Sequence, residues 1–557
     1  MENSTMGNCL ATCCEGNFFK RKQALPIDTI FELPVANSSW PPGGDFASGI
    51  IDLGGLQVSQ ISTFKKVWGT YGGGPDNQGF TIFEPSGIPQ GFSMLGSYCQ
   101  PNNKPLFGWV LVAKDVSKRT SNSTLNQPND YTLVWSSESL KISQDGHIYV
   151  WLPTAPNGYK AVGHVVTTTP NKPSLDRIRC VRSDLTDQCE TNSLIWESGT
   201  FNVYDVRPSN RGVQAPGVRV GTFVAQIGST TDPPSIACLK TTNAATKYMP
   251  NLQQIKDILN VYSPTMCFHP DEEYLPSTVN WFFSNGALLY KKGQESNPVS
   301  IVPNGTNLPQ DHNTDDAYWL DLPADAANKE RVKKGDLQSA KSYVHVKPML
   351  GGTFTDIALW VFYPFNGSSR AKVKFITLKL GKIGEHVGDW EHVTLRVSNF
   401  SGELWQVYFS QHSKGTWVDS SQIEFQSGRN KPLFYSSLHG HASYPHAGLN
   451  LQGEDDIGIR NDTAKGGNVM DMEAFELVSA EYLGSAVVEP PWLNYFREWG
   501  PKIDYKIDDE LKKIEKFLPG KLKSAFEKIV KGLPSEVLGE EGPTGPKVKN
   551  NWSGDEV

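Results

Sequence analysis

Over residues 48–240 apolar and polar positions alternate in short runs, 131–135, 147–152 and 218–225 among them. These runs are rich in β-branched and aromatic residues and bounded by Gly and Pro, the pattern of strands joined by turns. An apolar residue followed by Trp recurs as Val67-Trp68, Val134-Trp135 and Ile195-Trp196. After each pair come an aromatic residue, a proline, a Pro-Gly or Pro-x-Gly turn and a further Gly. The first copy runs through Phe83-Glu84-Pro85, Pro89-Gln90-Gly91 and Gly96, and the second through Trp151-Leu152-Pro153, Pro156-Asn157-Gly158-Tyr159 and Gly163. A looser third copy uses Tyr204, Pro208, Pro216-Gly217 and Gly221. A small antiparallel sheet alone buries only one face, so the three copies predict three sheets packed about a pseudo-threefold axis, a β-prism-like domain.

Residues 241–490 carry strand-like runs at 359–364, 374–378, 389–397, 404–410 and 431–437, with turn residues between them. This pattern predicts a β-sandwich, with a small helix within 324–334. After Pro490-Pro491 the composition turns rich in Lys and Glu. Ile507, Leu511, Ile514 and Leu518, then Leu522, Phe526, Ile529 and Val530, fall at helical spacing on either side of Pro519-Gly520. The fold class expected is therefore mainly β: a three-repeat β-prism-like domain (48–240), a His-rich β-sandwich (241–490) and C-terminal amphipathic helices (491–557). Residues 1–47 and the tail from Gly539 are expected to be mobile.

A chain of 557 residues exceeds what one hydrophobic core supports, which agrees with two main units. A hydrophobic content of 38% with 20% charged residues describes a folded protein. The net charge of -7, with no stripe of Lys and Arg, argues against nucleic acid as a partner. No run of 18 apolar residues is present to span a membrane. Residues 1–19 lack a basic start followed by an apolar block, so a cytoplasmic location with free cysteines is expected.

Met6-Gly7-Asn8-Cys9, then Cys13-Cys14 and Lys20-Arg21-Lys22, suggests peripheral attachment to a membrane. Were translation to begin at Met6, Gly7 would be open to myristoylation and Cys9, Cys13 and Cys14 to palmitoylation. Stable anchoring needs two such signals. Ala11 stands where Ser or Thr is usual, and the alternative is a Cys-bearing tail without lipid.

Nine of the eleven histidines lie between His269 and His446. The sharpest constellation among them is His386-Val-Gly-Asp389-Trp390-Glu391. On a strand starting at Asp389, Asp389, Glu391, Val393, Leu395 and Val397 share one face, so two carboxylates head a core-facing row. Burying them requires compensating positive charge. His386, with His412 and His439 as outer members, completes a candidate set for a divalent cation, Ca, Mg, Mn or Zn. The competing reading pairs Asp389 or Glu391 with Lys374, Arg370 or Arg396 and leaves Trp390 as core. No Gly-x-Ser-x-Gly elbow, phosphate loop or dinucleotide motif is present, so the sequence leans away from an enzyme.

Three resemblances add to this reading. The Pro–Pro-x-Gly-Tyr–Gly pattern resembles the repeats of the adaptor-binding module of large vacuolar-sorting lipid-transfer proteins. That resemblance implies peptide docking, with Trp151, Pro153 and Tyr159 as candidate contacts and adaptor peptides as partners. Phe268-His269-Pro270, Tyr274-Leu275-Pro276-Ser277, Val387-Gly388-Asp389-Trp390-Glu391-His392 and 437–445 resemble signatures of the plant vacuolar protein sorting-associated protein 62-like family. The segment from His386 is also similar to the Gly-His-Arg-His-Asp-Trp-Glu heptad of necrosis-inducing, metal-binding cytolysins. Its first His, Asp and Glu fall on His386, Asp389 and Glu391, while its second His is Gly388. These readings converge on a membrane-associated binding or scaffold protein of vacuolar trafficking with a cation site. The alternative is a metal-dependent hydrolase or a membrane-active, cytolysin-like module.

Overall fold

The computed structural model describes residues 25–556 apart from 37–38, 118–122, 229–232, 413, 455, 503–508, 511, 513–515, 517 and 532–541. The three copies of the repeat form three three-stranded antiparallel sheets: Phe64–Gly69, Phe80–Pro85 and Tyr98–Pro101; Asp130–Ser136, Tyr149–Thr154 and Val165–Thr167; Cys189–Ser198, Phe201–Pro208 and Phe223–Ile227. All three feed one core, in which Trp68 and Phe80 meet Val150 and Val166 and then Trp196 and Phe201. In each copy the pairing register slips at the residue before Trp, at Val67, Val134 and Ile195. A bulge inserts one residue into the strand, so the period-two alternation breaks there. This is the structural meaning of the repeated apolar-Trp pair.

A second trio, one four-stranded and two three-stranded sheets, is stacked on the first and shares a core of Leu56, Leu111, Val181 and Leu239. Where the trios meet, a Cβ on Gly96 would lie 2.8 Å from the Gly163 Cα and 2.6 Å from the Thr222 methyl. Only glycine permits this approach, which accounts for the last Gly of the first two copies.

The second unit is built on a six-stranded sheet. In chain order its strands are β1 (Ser342–Met349), β2 (Phe354–Asn366), β3 (His386–Ser398), β4 (Leu404–Gln411), β5 (Lys414–Asp419) and β6 (Phe475–Ser479). Their spatial order is β5-β4-β3-β2-β1-β6. One face packs on a four-stranded sheet through Leu359, Val393 and Leu395 against Met266, Phe434 and Met470, which makes the expected sandwich. The other face is covered by Phe282, Trp492, Trp499 and Trp552, packed on Trp360, Phe362 and Trp390. With both faces covered, β2 is buried along its whole length and reads as a near-continuous apolar run.

The helix expected within 324–334 spans Ala326–Lys333, and the second C-terminal stripe lies on the helix Gly520–Lys531, where Phe526 is buried. Most of the first stripe lies outside the described residues. No described helix is long and apolar enough to cross a membrane. Two expectations of mobility are corrected. In the described part of 25–47, Ile27 and Phe46 are buried and the Trp40 indole donates to the Ser401 carbonyl at 2.9 Å. Residues 542–556 are not a loose tail either: Trp552 and Glu556 are both buried against the central sheet. The apolar and acidic side chains of that tail find complementary groups far away in sequence, which its local composition does not reveal.

Candidate functional site

β3 pairs with β2 from His386 opposite Asn366 to Ser398 opposite Phe354, whereas β4 joins it only from Val393 onward. Residues 386–392 therefore turn an edge toward a cavity of about 380 Å³. Alternation along β3 sends Asp389 and Glu391 to the face that continues as Val393, Leu395 and Val397 in the sandwich core. Trp390 goes to the opposite face, among Trp492 and Trp499. Just before the acidic pair, Gly388 has φ +67°, and a Cβ there would lie 2.6 Å from the Trp499 carbonyl oxygen. That close approach and the left-handed backbone together call for glycine at this position.

Asp389 and Glu391 are 8% and 9% exposed. With His386, His412, Ser410 and Lys414 they line the cavity, and Gly542, Pro543, Thr544 and Lys549 of the C-terminal segment form its far wall. Four of the five sequence-derived candidates thus meet at one place. The fifth, His439, is held elsewhere: its backbone N–H donates to Glu272 at 2.6 Å, and its ring stands 3.5 Å from the same carboxylate.

The partner of Asp389 is a histidine outside the sequence-derived candidate set. The Nδ1 of His441 stands 2.9 Å from the Asp389 carboxylate, and its Nε2 stands 3.1 Å from the Tyr274 carbonyl. The imidazole is thus held from both sides, by a carboxylate and by a main-chain carbonyl. Its ring is stacked on Tyr363 with centroids 3.8 Å apart. Burial pushes the Asp389 carboxyl up, but the His441 hydrogen bond and the nearby charges of His386 and Lys549 outweigh it and hold the group below its ordinary value. Glu391 accepts from the Ser410 hydroxyl, which itself accepts the His392 N–H at 3.2 Å.

The arginines of the competing reading are engaged elsewhere, Arg370 with Asp462 at 2.5 Å and Arg396 with Asp356 at 2.8 Å. His386 Nδ1 donates to the Gly388 carbonyl at 3.1 Å, and His412 Nε2 faces Asn461 at 3.2 Å. Among the described residues no three His, Cys, Asp or Glu side chains are gathered closely enough to enclose a metal ion. What the cavity offers is a pair of adjacent carboxylates, a donor set that suits a hard cation keeping most of its waters. It does not suit a tetrahedral zinc centre.

In the repeat unit Trp151 and Pro153 are buried, and the Trp151 indole donates to Thr167 at 2.8 Å. Tyr159 is half-buried, its hydroxyl donating to the Ser123 carbonyl at 2.6 Å. As candidate peptide contacts Trp151 and Pro153 are therefore corrected: they build the core of the second copy. Gly7, Cys9, Cys13 and Cys14 lie outside the described residues.

Three solved structures align with part of the chain. GNIP1Aa from Chromobacterium piscinae aligns at 23% identity and TM-score 0.28, over 37% of this chain and 40% of that one. NLPPya in complex with glucosamine aligns at 13% identity and TM-score 0.21, over 46% of this chain and 88% of that one. Necrosis and Ethylene inducing Protein 2 from the causal agent of cocoa's Witches Broom disease aligns at 14% identity and TM-score 0.16, over 40% and 84%. No curated protein matches the chain. The family model described as vacuolar protein sorting-associated protein 62 matches residues 27–556, nearly the whole length, and the chain belongs to that family.

Proposed function

We propose that this is a binding protein of vacuolar sorting whose sandwich cavity takes a divalent cation through Asp389 and Glu391. The observation that carries this reading is the placing of two adjacent carboxylates, both nine-tenths buried, on the wall of one cavity at the unpaired edge of β3. Arg370 and Arg396, the arginines considered as partners, pair instead with Asp462 and Asp356. A cation bound there would use one or both carboxylates and complete its shell with water or with oxygens of a further ligand. His386 and His412 stand at the same wall as outer partners. A hard cation such as Ca, Mg or Mn fits this donor set better than Zn.

Attachment to a membrane through acylated Gly7, Cys9, Cys13 and Cys14 belongs to the same proposal. Mass spectrometry of the native N-terminal peptide tests it, and an unmodified peptide beginning at Met1 would refute it. For the cation, titration calorimetry with Ca, Mg, Mn and Zn against the full chain is the direct experiment. Saturable heat with Ca, Mg or Mn that disappears in Asp389→Asn and in Glu391→Gln is expected. Heat unchanged by both substitutions would place any bound ion elsewhere.

A further inference from the structure

The last residues of the chain fill a groove on the face of the central sheet opposite the sandwich core. Trp552 stacks on His345 with ring centroids 3.8 Å apart and lies over Trp360. The Asp555 carboxylate accepts from Arg396 at 2.7 Å and from Arg211 at 2.9 Å. The Glu556 carboxylate accepts from Thr394 at 2.7 Å and stands 3.2 Å from His392 Nε2. Lys347 donates to the carbonyls of Asn551 at 2.5 Å and Gly554 at 3.0 Å, so the groove grips main chain as well as acidic side chains.

We propose that this groove is a peptide-recognition site. It takes, from a partner, an acidic segment carrying an aromatic residue three positions before an Asp-Glu pair, and the chain's own tail is its competing internal occupant. Charge complementarity identifies the occupant. Arg211 keeps a carboxylate of its own, Glu190 at 2.7 Å, but without the tail Lys347 and Arg396 would face a single buried carboxylate, Asp356, and such an excess of buried positive charge calls for an anion.

Two further observations separate a replaceable occupant from a permanent staple. Trp360 Nε1 and His345 Nδ1, on residues 1% and 3% exposed, lie under Trp552 with no hydrogen-bond partner among the described residues. The tail thus fills the groove without satisfying it, and a segment offering oxygens there would fit better. Main chain to main chain, the tail is also held only at separate points, by the Trp499 N–H on the Pro543 carbonyl at 2.7 Å, the Val213 N–H on the Ser553 carbonyl at 3.0 Å and the isolated bridge of Glu498 to Thr544, and among the described residues by no strand of a sheet. It can leave without dismantling a ladder. Because Arg211 belongs to the repeat unit and Arg396 to the sandwich, exchange of the occupant would also be felt where the two units meet.

The test uses a fluorescein-labelled peptide with the sequence of residues 549–557, measured by anisotropy against the full chain and against the full-length double variant Asp555→Asn/Glu556→Gln. A tethered tail competes at a high effective concentration, so weakening it is expected to tighten peptide binding by about tenfold or more. The peptide carrying the same two substitutions is expected not to bind. The inference is overturned if the double variant, folded by circular dichroism, binds the peptide no better than the unmodified chain. It is equally overturned if the substituted peptide binds as well as the acidic one.

Discussion

At the scale of single residues, the account turns on how Asp389 is kept ionised while buried. Its partner is His441, itself buried and gripped by the Tyr274 carbonyl on the far side. Removing the partner of a buried carboxylate strands it, so His441→Ala is predicted to cost about 3–5 kcal/mol in urea unfolding. A loss below about 1 kcal/mol, the range of an exposed pair, would contradict the pairing. Proton linkage gives a second prediction. Asp389, Asp555 and Glu556 are each pushed up by burial but held net below their ordinary values, by His441, by Arg396 and by His392 respectively. Such groups bind fewer protons folded than unfolded, so their stabilisation is complete above the unfolded carboxylate range, near pH 4, and fades as pH falls through the folded values. Urea midpoints should therefore decline on acidification below about pH 5, and Glu556→Gln should flatten that decline. A flat profile in the unmodified chain would refute it.

At the scale of elements, the bulge that turns each repeat's Trp into the shared core is a strong determinant. Trp68 and Trp196 are fully buried there, and Trp135 stacks on Phe201 at 4.0 Å. Trp196→Ala is predicted to destabilise by about 3–5 kcal/mol, read from chemical unfolding. This architecture was legible because Val67-Trp68, Val134-Trp135 and Ile195-Trp196 repeat one local device. The helix Leu252–Tyr262 went unread although its signals are present: Asn251 and Gln254 form a reciprocal capping box, and Ile255, Ile258, Leu259 and Tyr262 make its buried stripe. Asn251→Ala should cost about 1 kcal/mol. In the site, the row Asp389, Glu391, Val393 followed from strand alternation alone. His441 did not, because its pairing joins residues 52 positions apart through a loop whose path no periodicity specifies.

At the scale of the whole molecule, the two units are not independent. Met349, Phe354, Phe400 and Trp405 of the sandwich share one core with Leu53, Leu56 and Leu239 of the repeat unit. The C-terminal segment adds a second tie, with the Val213 N–H donating to the Ser553 carbonyl at 3.0 Å while Asp555 bridges Arg211 and Arg396. These contacts span 159 to 344 residues of sequence, beyond the reach of any local pattern, and so the tail read as loose. Scanning calorimetry is predicted to show one unfolding transition, and two well-separated ones would contradict the shared core. The central claim, that the carboxylates of β3 hold a cation, is met most directly by elemental analysis of protein purified without chelator beside Asp389→Asn/Glu391→Gln prepared in parallel. The account predicts a stoichiometric divalent ion in the first and none in the second; a metal-free wild type, or equal metal in both, would contradict it.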